Sequence, residues 1–208
     1  RLLYTLGNHD SNSYGSVIDG VYVPATTAMI LYPNELYSLT NRHSEDIKNV
    51  SVSEDGFYYY VDDYAQKIRY IALNSSDSLY LDDGVGNITD SGSITQAYRQ
   101  EQINWFANEA LNIPDGWSVI VGSHVPPIRD GIQAYIEMIP HNNEIMVGIL
   151  NAFKNKTTYS ASSLLSVPNG YKANITVDYS NKNGDVIVWV CGHSHTDNLA
   201  TIGNGIPV

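Results

Sequence analysis

Three apolar runs of strand length, each closed by a glycine and then a histidine, constrain this chain more than any other feature. They are LLYTLGNHD (2–10), SVIVGSHVPP (118–127) and VIVWVCGHSH (186–195). Short continuous runs rich in β-branched residues and bounded by glycine predict strands buried on both faces, the pattern of a sheet covered on each side. Helical signals lie between them. Within SITQAYRQEQINWFANEAL, Ile103, Phe106, Ala107, Ala110 and Leu111 recur at helical spacing, with Ser93 as the expected cap and Pro114 beyond the end. The first half of that segment is less regular. Ile145, Ile149, Ala152 and Phe153 mark a second helix, capped by Asn142 or Asn143.

The remaining chain reads as strands and loops. GFYYYVDDYAQKIRYIALNSS predicts a hairpin turning near Asp63 to Gln66. YKANITVDYSNKNGDVIVWV repeats that pattern, with Asn183-Gly184 as the turn that delivers the chain into a strand over 186–191. Residues 11–56 and 75–92 are rich in Ser, Asn, Asp and Gly and predict long surface loops. A short helix over Ala25 to Tyr37 is expected to be interrupted at Pro33. Loops of that length in a compact domain frame a site. Neither a repeat nor a compositional break divides the 208 residues, so a single domain, 1–208, with an α/β fold is expected.

Charge and cysteine content exclude several classes. With 22 acidic and 11 basic residues the net charge is −11, which disfavours nucleic acid as a partner over any broad surface. A small anionic ligand remains compatible, because a local cation outweighs the global field at short range. Cys191 is the one cysteine, so an intrachain disulfide framework and a Cys-based zinc site are both ruled out, and a reducing, cytoplasmic setting is mildly favoured. Buried in a run of Val and Trp, it reads as a small apolar core residue rather than a nucleophile. No run of eighteen apolar residues occurs, so no membrane span is expected.

In open α/β sheets, ligands collect outside the carboxyl ends of the strands. His9, His124, His193 and His195 each follow a strand signal closely, whereas His43 and His141 do not. If those strands are neighbours, four imidazoles meet Asn8 and Asp10 at one sheet edge. Gly7, Gly122 and Gly192 would permit the sharp turns and close approach that such a site needs. His193-Ser194-His195 projects two nitrogen donors to one side, an arrangement suited to Zn, Mn or Fe, although ordinary loops also contain it.

Gly7-Asn8-His9-Asp10, Gly122-Ser123-His124 and Gly192-His193-Ser194-His195, in that order, resemble the last three motif blocks of the calcineurin-like metallophosphoesterases. The resemblance implies a four-layer αββα sandwich of two mixed sheets flanked by helices. It implies two divalent metal ions, of Mn, Fe, Zn or Ni type, at the strand ends. By the same resemblance Asn8, His124 and His193 would bind one metal and His195 the other. His9 would contact phosphate and protonate the leaving group, with Asp10 orienting it. The reaction would be hydrolysis of a small phosphorylated substrate by a metal-activated hydroxide. Arg129, shortly after His124, is a candidate phosphate contact.

The sequence departs from that pattern in one respect. Neither the Asp-X-His block nor the Gly-Asp-X-X-Asp block, both of which precede the others in the family, occurs here. A chain that is part of a longer protein is therefore expected, binding at most one metal weakly and nearly inactive by itself. Two other readings stay open: a nonenzymatic or degenerate metal-binding module, as in a phage or multidomain assembly, and a nuclease of the same superfamily, which the acidic balance opposes.

Overall fold

A computed structural model describes residues 4–13, 15–40, 50–52, 57–127, 139–195, 197 and 199–208. His43 and Arg129 lie outside the described residues. In chain order, an exposed hairpin of β1 (Ser16–Ile18) and β2 (Val21–Val23) precedes α1 (Pro33–Thr40). Then come β3 (Val50–Val52), β4 (Tyr59–Asp63) and β5 (Ile68–Ala72), a small ribbon of β6 (Leu81–Asp82) and β7 (Ile88–Asp90), and α2 (Gln100–Trp105). One π turn, Phe106–Ala110, prolongs α2 and leads to β8 (Ser118–Gly122) and α3 (Asn143–Asn155). The chain ends with β9 (Thr158–Ser162), β10 (Asn174–Asp178), β11 (Asp185–Val190), β12 (Thr201–Ile202) and β13 (Ile206–Pro207).

A five-stranded sheet of order β11-β8-β5-β4-β3 organises this mixed α/β fold. Strands β5, β8 and β11 run parallel, while β4 and β3 are antiparallel additions at one side. The parallel trio arises because α2 and α3 carry the chain back between successive strands, as parallel neighbours require. Ile71 of β5, Val119 and Val121 of β8 and Trp189 of β11 face those helices. They pack with Ile103, Phe106, Ile145, Ile149 and Phe153 into the main core. Each such side chain contributes roughly 1.5–3 kcal/mol when fully buried. Trp189 is wholly buried and donates its indole N–H to Ser123 Oγ at 2.9 Å, so its polar atom is satisfied inside the core.

The opposite face is covered only in part. Leu6, Leu36 of α1, Phe57, Tyr59, Val61 and Ala72 form a second cluster over β4 and the adjoining edge of β5. Beyond it, among the described residues, Tyr70, Ile120 and Val190 line a shallow cleft of about 360 Å³. Val190 is 56% exposed and Ile187 42%. A register shift between Val186 and Val188 puts one extra residue, Ile187, into β11 opposite β8.

Several expectations need correction. Residues 4–7 join no sheet, because the Tyr59 hydroxyl takes both backbone groups of Tyr4: Tyr4 N–H donates to it at 2.9 Å, and it donates to the Tyr4 carbonyl at 2.8 Å. Pro33 opens α1 instead of interrupting a helix, since its fixed φ and missing N–H suit the first helical position. Helix α2 starts after Arg99, which is extended, and Ser93 caps nothing there; its hydroxyl donates to the Asn8 carbonyl. Strands β10 and β11 both form, but they do not pair with each other. β10 pairs antiparallel with β9, and β11 pairs parallel with β8. The hairpin over Tyr59 to Ala72 and the helix over 143–155 form as expected, and Asp63 Oδ1 accepts from Ala65 and Gln66 N–H in the turn. Among the described residues, no helix is long and apolar enough to cross a membrane.

Candidate metal centre

The parallel ladder between β8 and β11 delivers two of the three histidine motifs to one place. Val190 stands opposite Gly122, Ser123 N–H donates to the Val190 carbonyl at 3.0 Å, and Gly192 N–H donates to the His124 carbonyl at 2.9 Å. His124 and His193 are thus the residues at which the two strands run out. The third motif, Gly7 to Asp10, is a tight turn closed by Asp10 N–H to the Gly7 carbonyl at 3.2 Å. Two sets of hydrogen bonds brace it. Ser93 Oγ donates to the Asn8 carbonyl, and Asp10 Oδ2 accepts from the Tyr4 hydroxyl and from Gly7 N–H, both at 2.7 Å.

His124 Nε2 lies 3.1 Å from Asn8 Oδ1 and 3.1 Å from His193 Nδ1. The two imidazole rings meet edge to face, with centroids 5.0 Å apart. Asn8 is buried, and its Nδ2 has no hydrogen-bond partner among the described residues. Both 3.1 Å separations are hydrogen-bond lengths, and both also lie near the spacing of two ligands on one ion. Donors at about 2.0–2.1 Å around a tetrahedral ion sit roughly 3.3 Å from one another.

Backbone strain accompanies this arrangement. His193 has φ of 68° and His195 φ of 53°, in the left-handed region that costs an L residue energy. Ser194 N–H donates to the Gly192 carbonyl at 2.8 Å, closing a three-residue turn with His193 at its centre. Such strain persists only where the surroundings impose it. Gly7 sits in a tight space: a Cβ on it would lie 3.2 Å from both Asp10 Oδ2 and His124 Nδ1. Gly122 and Gly192 are not so constrained, because a Cβ at either would make ordinary contacts, the nearest at 3.5 and 3.7 Å.

Electrostatics favour neutral imidazoles. Burial, reinforced by neighbouring His193, pushes His124 down to about 4. Burial, with His9 and His195 adding to it, lowers His193 as well. At neutral pH both rings are therefore uncharged, the form a cation needs. Cys191 is half-buried, and burial pushes its thiol up to about 11, so no thiolate is available nearby.

The structure brings Asn8, His124 and His193 together and leaves His9 and His195 at the exposed rim, close enough to influence both inner imidazoles. Arg129 cannot be placed, lying outside the described residues. Among the described residues, no three His, Cys, Asp or Glu side chains group together; the convergent set is two imidazoles and an amide. That set fits a single borderline divalent ion, with a donor oxygen and two donor nitrogens. Tyr4 and Ser93, which anchor the turn, carry no local sequence signal. Their roles come from contacts across the fold. A scan of family models, a search of curated proteins and a search of solved structures each found no match to this chain.

Proposed function

We propose that this chain carries part of a metal-dependent phosphoester hydrolase of the calcineurin-like metallophosphoesterase class. One observation carries the reading: His124 and His193, at the carboxyl ends of parallel strands, bring Nε2 and Nδ1 to 3.1 Å, and Asn8 Oδ1 from a neighbouring turn lies 3.1 Å from the same His124 Nε2. Asn8, His124 and His193 would hold one divalent ion, and His195 would contribute to a second. Bound divalent cations supply Lewis-acid polarisation of phosphoryl oxygens and acidify water. His9, exposed at the rim, would meet the substrate and protonate the leaving oxygen. Asp10, whose Oδ2 accepts from the Tyr4 hydroxyl and from Gly7 N–H, lies on the same turn and would orient His9. The substrate is a small phosphorylated molecule, since the net charge of −11 opposes a polyanion.

The four-layer sandwich belongs to the same proposal. Parallel strands are covered on both faces in folded proteins, yet the face carrying Tyr70, Ile120 and Val190 is open among the described residues. A second sheet packed there completes the αββα arrangement.

The test is metal analysis together with turnover of p-nitrophenyl phosphate and bis-p-nitrophenyl phosphate, with Mn, Fe, Zn or Ni supplied, on the longest natural form of the protein. Activity that vanishes in His9→Ala supports the reading, and activity indifferent to that change removes the role given to His9. A second reading, a metal-binding module without activity, is favoured by one observation: the three convergent donors include no carboxylate to balance a cation's charge. Stoichiometric metal binding without turnover of either ester decides for it.

A further inference from the structure

Arg99 carries a guanidinium held in place from one side and open on the other. Its Nε donates to Asp77 Oδ1 at 2.7 Å and its backbone N–H to Asp77 Oδ2 at 3.2 Å. The Asp77 side chain is only 2% exposed, and Gln102 Nε2 also donates to it, at 3.1 Å. Gln102 is itself locked, exchanging hydrogen bonds of 2.8 and 2.9 Å with the Asn74 backbone. The guanidinium is therefore oriented before any ligand arrives, which removes much of the entropy cost of binding. Its Nη groups meet no acceptor among the described residues, and the Arg99 side chain remains 27% exposed.

Arg99 lines a cleft of about 410 Å³ together with Tyr32, Tyr80, Asn34, Ser78 and Glu35. None of the residues of the histidine pocket belongs to it. The Tyr32 and Tyr80 rings stand 5.6 Å apart, tilted at 53°, and form an aromatic wall. Glu35 is the carboxylate in the lining, and its Oε2 is engaged by Tyr32 N–H at 2.9 Å. Its charge opposes an anion, but it is exposed and screened by solvent, whereas a two-pronged guanidinium–oxyanion pair is among the stronger polar contacts.

We propose that this cleft is a binding site for a small molecule with a carboxylate or phosphate head on a ring-shaped body, the head on Arg99 and the body against Tyr32 and Tyr80. This site stands whether or not the histidine pocket binds metal. Benzoate and phenyl phosphate are the probes, followed through the Arg99 Nε–Hε NMR correlation, which the Asp77 hydrogen bond protects from rapid exchange. A saturable shift with either probe, exceeding that of sodium chloride at equal ionic strength, is expected, and the probe that binds identifies the head group. Arg99→Lys keeps the charge and loses the fork, so affinity, read from tyrosine and tryptophan fluorescence, falls about tenfold. Tyr32→Ala weakens the same probe severalfold without touching the Asp77 pair, and it serves if the lysine variant fails to fold. His124→Ala leaves probe binding unchanged. The proposal is overturned if neither probe saturates, if chloride reproduces the shift, or if Tyr32→Ala binds as tightly as the parent.

Discussion

His193 Nδ1 lies 3.1 Å from His124 Nε2 although 69 residues separate them. The parallel register of β8 and β11 creates that proximity, because both strands end at the same level and the ladder continues one step beyond each. Two imidazole nitrogens and the Asn8 oxygen then share one small space. Without a cation, only a proton on one ring can reconcile the two nitrogens.

Acidification should destabilise the metal-free protein through these rings. The folded His124 titrates at about 4 against an ordinary 6.5, so between those values the unfolded chain binds protons that the folded one refuses. The stabilising contribution is complete above pH 6.5 and disappears as pH falls through about 4. His193, also lowered by burial, acts in the same sense. Urea midpoints measured from pH 7.5 to 4 should fall, and His124→Gln should flatten that slope. An unchanged slope in the variant would count against the buried neutral imidazole.

Glycine at position 193 should separate strain from function. His193 sits at φ of 68°, a conformation glycine adopts without penalty. His193→Gly should keep the metal-free stability or raise it by up to about 1 kcal/mol, while metal affinity falls at least tenfold. A loss above about 1 kcal/mol would show that the imidazole holds the fold rather than a ligand.

The motif glycines should differ in tolerance. Gly7→Ala forces a methyl against Asp10 and His124 at 3.2 Å, a tight fit whose overpacking costs about 1–3 kcal/mol and displaces the turn bearing Asn8. Gly192→Ala meets its nearest atom, His124 Nδ1, at 3.7 Å and should be nearly neutral. Thermal unfolding of the two variants checks this, and equal losses would refute it.

Tyr4→Phe removes the hydroxyl that donates to Asp10 Oδ2 at 2.7 Å. Burial, then Asp10, raise this phenol to about 12, so it is a donor throughout the physiological range. The variant should lose about 1–2 kcal/mol and loosen the Gly7 to Asp10 turn, seen as faster amide exchange at Gly7 and Asp10. Unchanged exchange at both amides would mean that the turn is held by other contacts.

Where a segment's structure depends on its own residues, the sequence shows it. The β-branched runs at 118–122 and 186–190 and the apolar face of α3 form as their periodicity predicts, and the histidines after those strands meet because neighbouring parallel strands end together. Pairing is different, because a strand does not encode its partner: Asn183-Gly184 signals a turn equally well whether or not β10 and β11 are neighbours. The first run carries the same local signal as the others, but the Tyr59 hydroxyl occupies the Tyr4 backbone groups that a ladder would use. Tyr4 and Ser93 acquire their roles at the site only through contacts that the fold creates, so no motif announces them.

Crystals grown with Mn²⁺ or Zn²⁺ and measured at the metal's absorption edge would locate an ion in the histidine pocket. An anomalous peak is expected at bonding distance, about 2.0–2.2 Å, from His124 Nε2, His193 Nδ1 and Asn8 Oδ1 together. Peaks confined to surface carboxylates, with the three atoms unmoved and no density between them, would contradict a metal site there.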